Sequence, residues 1–160
     1  MKILLKNIKE NSMEYTGEVI CESILNNGDN IKFLDNIKFS GNLRKGEDFV
    51  EINGKVTAKF VANCHACGEE AKSEVEFNIF ETYRRDPADE EYQLVGDEVD
   101  FDEMILENIR LNLPIKILCK EECKGVCTIC KKNLNNGECG CKVDEKHDSP
   151  FDVLNKLLDK

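Results

Sequence analysis

No run of apolar residues in this 160-residue chain approaches membrane-spanning length. The opening Met1-Lys2-Ile3-Leu4-Leu5-Lys6 has three consecutive apolar residues before a lysine, too few for the core of a secretory signal. A reducing cytoplasm is therefore the expected location. Histidine is scarce: His65 lies between two cysteines and His147 in a charged run, and both are read as solvated. No phosphate-cradling glycine loop, dinucleotide turn or Gly-x-Ser-x-Gly elbow occurs, so no small-molecule substrate is evident. Lysine and arginine are missing from Asp86 to Glu107, a stretch that holds ten acidic residues. Those ten account for the whole net charge of −10; elsewhere acids and bases balance at 22 each. Such a field repels nucleic acid, so any RNA contact requires a local basic patch.

What the chain does have is cysteine. Eight of nine form close pairs: Cys64/Cys67, Cys119/Cys123, Cys127/Cys130 and Cys139/Cys141. The odd total fits poorly with a complete disulfide framework, and in a reducing compartment such pairs point to metal or dithiol chemistry. Cys21 stands alone near the end of an apolar run and reads as a small buried hydrophobe.

The fold expected is α+β: an antiparallel β-rich body with a packing helix, a cysteine-rich zinc-binding module and a short C-terminal helix. Val50–Ala62 alternates apolar and polar residues with period two, and Val75–Tyr83 gives a second such run. Cys64-His65-Ala66-Cys67-Gly68 then occupies the tip of a hairpin. Ile3–Ile8, Tyr15–Cys21, Ile31–Leu34 and Ile37–Leu43 supply further strands, with Asn26-Asn27-Gly28-Asp29 as a turn. Residues 1–85 form the β-rich region, 86–100 an acidic linker broken by Pro87 and Gly96, and 101–160 the remainder of one integrated domain. A helix follows Asp100, with Phe101, Met104, Ile105 and Ile109 on one face, and ends before Pro114. A last helix starts at Ser149-Pro150 and carries Phe151, Leu154, Leu157 and Leu158.

Cys-x-x-Cys turns the backbone so that both sulfurs face one ion, and a following glycine permits the left-handed turn this needs. Cys127, Cys130, Cys139 and Cys141 make a self-contained site. Cys64, Cys67, Cys119 and Cys123 then make a composite site tying the hairpin tip to the segment after Pro114. Two Zn²⁺ in closed four-thiolate sites is the leading reading. A shared cluster among the six C-terminal cysteines, or one filled site with a spare dithiol, remain alternatives. A closed site has no position for water, which argues against metal-assisted hydrolysis and for a protein that is not an enzyme. Two rival functions stay open: a redox-switched zinc protein with chaperone-like activity, and a dithiol oxidoreductase.

The ordered set Cys64-His-Ala-Cys67-Gly, Leu113-Pro114-Ile-Lys-Ile-Leu118-Cys119, Cys123-Lys-Gly-Val-Cys127-Thr-Ile-Cys130-Lys-Lys-Asn133-Leu134-Asn135, Cys139-Gly-Cys141 and Ser149-Pro150-Phe151-Asp-Val-Leu154 resembles the YceD family, the large ribosomal RNA subunit accumulation proteins. The resemblance runs from about residue 45 to the end. It departs at Lys131-Lys132, where relatives often have glycine. It implies a bacterial, cytoplasmic factor needed for normal 23S ribosomal RNA levels, with ribosomal RNA, a large-subunit ribosomal protein or an assembly factor as partner. Lys116, Lys120, Lys124, Lys131 and Lys132 are the candidate RNA-facing residues.

Overall fold

The computed structural model describes residues 1–8, 11–88 and 91–141. Its backbone is mostly antiparallel sheet, with one α-helix among the described residues. The organising element is β6 (Phe49–Asn63), whose alternating sequence puts Val50, Ile52, Val56, Ala58, Phe60 and Ala62 on one buried face. β7 (Glu70–Arg84) pairs with it along its whole length, from Phe49 opposite Arg84 to Asn63 opposite Glu70. On its other side β6 receives two partners end to end. β5 (Ile37–Lys45) takes Val50 to Thr57, and β4 (Asp29–Phe33) takes Phe60 and Val61. β2 (Ser12–Val19) flanks β5, and β3 (Ser23–Asn26) flanks β4. The β3–β4 turn is the expected one, with Asn27 and Gly28 both at positive φ, as a tight two-residue hairpin requires.

The helix α1 (Asp102–Asn112) lies across the apolar face. Phe101, Met104, Ile105 and Ile109, the face read from their spacing, are fully buried. Phe101 stacks on Tyr15 and Phe39, with ring centroids 5.7 and 6.2 Å away. The Asp100 carboxylate accepts from the Asp102 N–H (3.1 Å), and Leu113 turns extended ahead of Pro114, so both ends follow local chemistry. The sheet's other face carries Glu14, Lys38, Lys55, Lys59 and Glu76, and among the described residues the sheet is covered on one side only.

The stretch read as an acidic linker is built into the body. Within it β8 (Tyr92–Gln93) runs parallel beside the end of β7, and β9 (Glu98–Asp100) pairs with β1 (Lys2–Leu4). Leu94 and Val99 are buried, while Lys2 and Arg85 neutralise Glu98 and Asp97 at 2.9 and 3.1 Å. Strands this short leave no period in the sequence, so the charge dominates the reading. Ile3–Ile8, read as one strand, divides into β1 and a 3-10 turn at Leu5–Asn7. The helix expected from Ser149 lies outside the described residues.

Two glycines face each other at the centre of the sheet, Gly41 of β5 and Gly54 of β6. A methyl group on Gly41 would collide with the Asn53 carbonyl oxygen, and one on Gly54 would enter the ring of Phe39. Gly41→Ala should therefore destabilise the protein by about 1–3 kcal/mol. Urea unfolding measures this, and an unchanged midpoint would contradict the close approach.

Candidate metal centres

The eight paired cysteines are gathered into two groups, each with its four sulfurs mutually within 4.8 Å. One group is Cys64, Cys67, Cys119 and Cys123; the other is Cys127, Cys130, Cys139 and Cys141.

The first group is assembled from distant parts of the chain. β6 ends at Asn63, and the next residues fold back in a tight turn: the Gly68 N–H donates to the Cys64 carbonyl (2.8 Å) and the Cys64 N–H to that of Glu69 (2.7 Å). Gly68 takes φ +77°, so the knuckle uses the glycine that follows its second cysteine. Beyond Pro114 the chain returns across this tip. The His65 N–H donates to the Ile117 carbonyl (2.9 Å), and Ile117 is buried. Cys119 and Cys123 arrive beside the knuckle, with Sγ–Sγ distances of 3.6 Å for Cys67–Cys119 and 3.7 Å for Cys64–Cys123. A tetrahedron of sulfurs about 2.3 Å from a central ion has edges of roughly 3.8 Å. The thiols are thus already spaced for one tetrahedral ion.

The second group is local. Cys127 and Cys130 close a turn in which the Lys131 N–H donates to the Cys127 carbonyl and the Cys127 N–H to that of Lys132, both at 2.9 Å. Lys131 adopts φ +59°, the left-handed conformation that Gly68 supplies in the first knuckle. The departure noted in the sequence therefore keeps the turn, at the conformational cost of a Cβ in that region.

The electrostatics of both groups favour a cation. Burial pushes the Cys64 thiol up, but N–H groups of Cys119, Cys67 and Ala66 directed at its sulfur outweigh this and bring it down to about 6. Cys127 falls to about 6 because the Cys130 N–H, the Cys139 thiol and the Ile129 N–H all favour its thiolate. Cys119 is driven up to about 12 by burial and by Cys67, Cys123 and Cys64. Cys141 is driven up to about 12 by Cys130, burial and Cys139. Cys64 and Cys123 in the first group and Cys127 in the second are thus drawn toward ionisation, while Cys67, Cys119, Cys139 and Cys141 are held back from it; a bound dication removes that conflict. Metal uptake at pH 7 should accordingly release the protons of the raised thiols, Cys67, Cys119, Cys139 and Cys141 among them. Protons compete for the same sulfurs, so affinity falls as pH drops toward 6 and below. A zinc titration in weakly buffered indicator solution reads this directly, and uptake without acidification would contradict it.

Two side chains outside the cysteine set hold the centres. Asn135 accepts from the Lys124 N–H (3.1 Å) and donates to the Cys123 sulfur (3.3 Å), linking the local segment to the first group. Asn133 accepts from the Asn135 N–H (2.9 Å) and donates to Glu69 beyond the hairpin tip (3.0 Å). The motif was visible in the sequence, but its role was not, because an amide shows its partners only once the chain is folded. His65, read as solvated, is exposed but held in place: Nε2 meets Asp29 Oδ2 at 2.8 Å and Nδ1 accepts from the Ile117 N–H at 3.4 Å. It ties the knuckle to the β3–β4 hairpin. Cys21 is half-buried, apart from both groups. His147 lies outside the described residues. Lys116, Lys120, Lys124, Lys131 and Lys132 are all exposed, interspersed with exposed Glu121 and Glu122. Among the described residues no helix is long and apolar enough to cross a membrane.

A family model described as large ribosomal RNA subunit accumulation protein YceD matches residues 52–158, a span that contains both cysteine groups. A chloroplast protein of Arabidopsis thaliana, the large ribosomal RNA subunit accumulation protein YCED homolog 1, is 33% identical over 63 residues. That alignment covers 39% of this chain and 19% of the relative, so the chain spans only a small part of that relative's length. No solved structure matches.

Proposed function

Because the chain belongs to the YceD family, we propose that it supports the accumulation of large-subunit (23S) ribosomal RNA in the cytoplasm as a non-enzymatic, zinc-binding factor. The observation that carries this reading is the pair of four-thiol groups beside an exposed set of lysines. In this reading all eight cysteines, Cys64, Cys67, Cys119, Cys123, Cys127, Cys130, Cys139 and Cys141, are zinc ligands. Zinc suits an all-sulfur tetrahedral site and supplies charge neutralisation without redox chemistry. With four protein ligands each, the two sites are architectural: they give residues 113–141 an order that their few apolar side chains cannot provide.

Recognition then falls to the surface. Lys116, Lys120, Lys124, Lys131 and Lys132 present the ribosomal RNA side, and each phosphate they neutralise releases a counterion. Replacing all five with glutamate should lower affinity for 23S ribosomal RNA fragments by at least about a hundredfold at low salt and flatten the salt dependence. Filter binding across a salt series measures both. Unchanged affinity would remove the lysine surface from the proposal and leave a large-subunit ribosomal protein or assembly factor as the partner.

Cys130 is exposed, which favours a second reading in which oxidation expels metal from the local site and uncovers a chaperone-like surface. Native mass spectrometry before and after mild peroxide separates the two, since an architectural centre retains both ions.

A further inference from the structure

β7 pairs with β6 throughout, but on its outer side it meets β8 only at Tyr83 and Arg84. From Glu70 to Thr82 the outer edge has no strand partner among the described residues. The hydrogen bonds at its end define which groups face outward. The Leu94 N–H donates to the Arg84 carbonyl on the β8 side, while the Arg85 N–H donates back to Asp48 on the β6 side. Alternation along a strand then turns the N–H and C=O of Thr82, Phe80, Asn78, Glu76 and Glu74 outward. An open edge of this length is a template for another strand.

Three features around the edge describe the strand that fits. A cleft of about 820 Å³ lies alongside, between Phe80, Glu81 and Tyr92 on the sheet side and Glu107, Asn108 and Leu111 of α1. Phe80 and Leu111 are exposed there, at 65% and 83%, and offer apolar footing at one edge of the sheet. The charge is acidic: Glu81, Glu91 and Glu107 line the cleft against Arg110, and Glu70, Glu74 and Glu76 follow along β7 against Lys72. Arg84 pairs with Glu91 and Lys55 with Glu76, whereas among the described residues Glu107 accepts from the neutral Tyr92 hydroxyl and Glu81 from the neutral Asn108 amide, each at 2.8 Å. The Tyr92 phenol registers this field: burial first, then Glu107, Glu81 and Glu103, push it well above its ordinary value.

We propose that the outer edge of β7, from Glu74 to Thr82, takes up an extended basic peptide segment as an added strand, with a lysine or arginine side chain seated among Glu81, Glu91 and Glu107. The main-chain ladder supplies the attachment and the acidic cleft selects the sign of charge. A second copy of this chain fits poorly, since pairing two β7 edges would bring their glutamates together. This partner surface is separate from the lysines assigned to RNA and stands or falls independently of them.

The test uses the full, zinc-loaded chain and a fluorescein-labelled peptide of alternating lysine and valine, with a glutamate–valine peptide as control. Fluorescence anisotropy should show binding of the basic peptide alone, weakening as salt is raised. Asn78→Pro removes one outward N–H without touching the β6 ladder and should weaken binding by about tenfold. Glu107→Gln should weaken it by about threefold or more while keeping an acceptor for Tyr92. In wild-type protein, amide exchange at Glu74, Glu76, Asn78 and Phe80 should be fast alone and slowed by the peptide. That last measurement stands even if Asn78→Pro fails to fold. Absence of binding, or binding without protection of those amides, overturns the proposal. So does protection already present without peptide, whether it depends on protein concentration (a second copy) or not (the chain's own remaining residues).

Discussion

Cys64→Ser should cost the protein far more than Cys139→Ser, although each removes one sulfur from a four-thiol group. The first group joins residues as distant as Cys64 and Cys123, 59 positions apart. Fixing a loop of that size withdraws conformational entropy from the unfolded chain, by about 4 kcal/mol when valued as a covalent cross-link of the same span. The folded side loses as much coherence, because the His65–Ile117 contacts and the docking of Gly125 against Ala66 depend on the same junction. Cys139 belongs to the local group, whose failure frees residues near 127–141 but leaves the hairpin tip clasped. Urea unfolding monitored by far-ultraviolet circular dichroism should show a drop of about 4 kcal/mol for Cys64→Ser, with residues 113–141 losing amide protection together. Cys139→Ser should confine its loss of protection to the local segment and to Asn135, whose amide reaches Cys123. Equal losses from the two variants would mean that the first group is not the clasp described.

Phe101→Ala should be the most damaging single substitution away from the cysteines, at about 3–5 kcal/mol. Phe101 is fully buried at the entry to α1, and its ring lies against both Tyr15 of β2 and Phe39 of β5. Truncation would open a cavity at the junction of three elements that cannot close on it, since Phe39 is already held over Gly54. For a chain of this size the loss corresponds to a fall in melting temperature of about 10–15 °C. Leu111→Ala, on the exposed side of the same helix at 83% exposure, is the control and should shift the melt by no more than about 0.5 kcal/mol. A melt of the zinc-loaded protein followed by calorimetry distinguishes them; near-equal effects would contradict the packing of α1.

The contrast between these two sites marks what can be read without the fold. The face of α1 follows from a spacing of three and four residues, and every residue on it is buried. β6 follows from a period-two pattern over thirteen residues, Val50 to Ala62, with apolar or small residues at even positions and mostly polar ones at odd positions, and the observed strand extends it by one residue at each end. By contrast β8 and β9 are strands of two and three residues, too short to show a period, and β9 pairs with β1 at the other end of the described chain. They also lie within the most acidic stretch of the chain, so composition argued for a linker where Leu94 and Val99 are in fact buried. Neutralising lysine and arginine at positions 2 and 85 explain how that charge is accommodated. His65 and Asn135 went unread for a related reason: a polar side chain is satisfied by whichever groups the fold brings near it.

By itself, then, the sequence determined the local matters: the two long strands, the helix face, the knuckle turns, the family, and the cysteine pairs from which two groups of four can be made. These depend on neighbours within a few residues, so short-range spacing encodes them. Only the tertiary structure decided how those pieces meet: the crossing of the segment after Pro114 over the hairpin tip, the amide and imidazole clasps around the sulfurs, the anchoring of the acidic stretch, and the outer edge of β7, which has no strand partner from Glu70 to Thr82 among the described residues. Each of these depends on contacts between residues distant in sequence, whose worth comes from burial and satisfied hydrogen bonds that exist only after the chain has closed on itself.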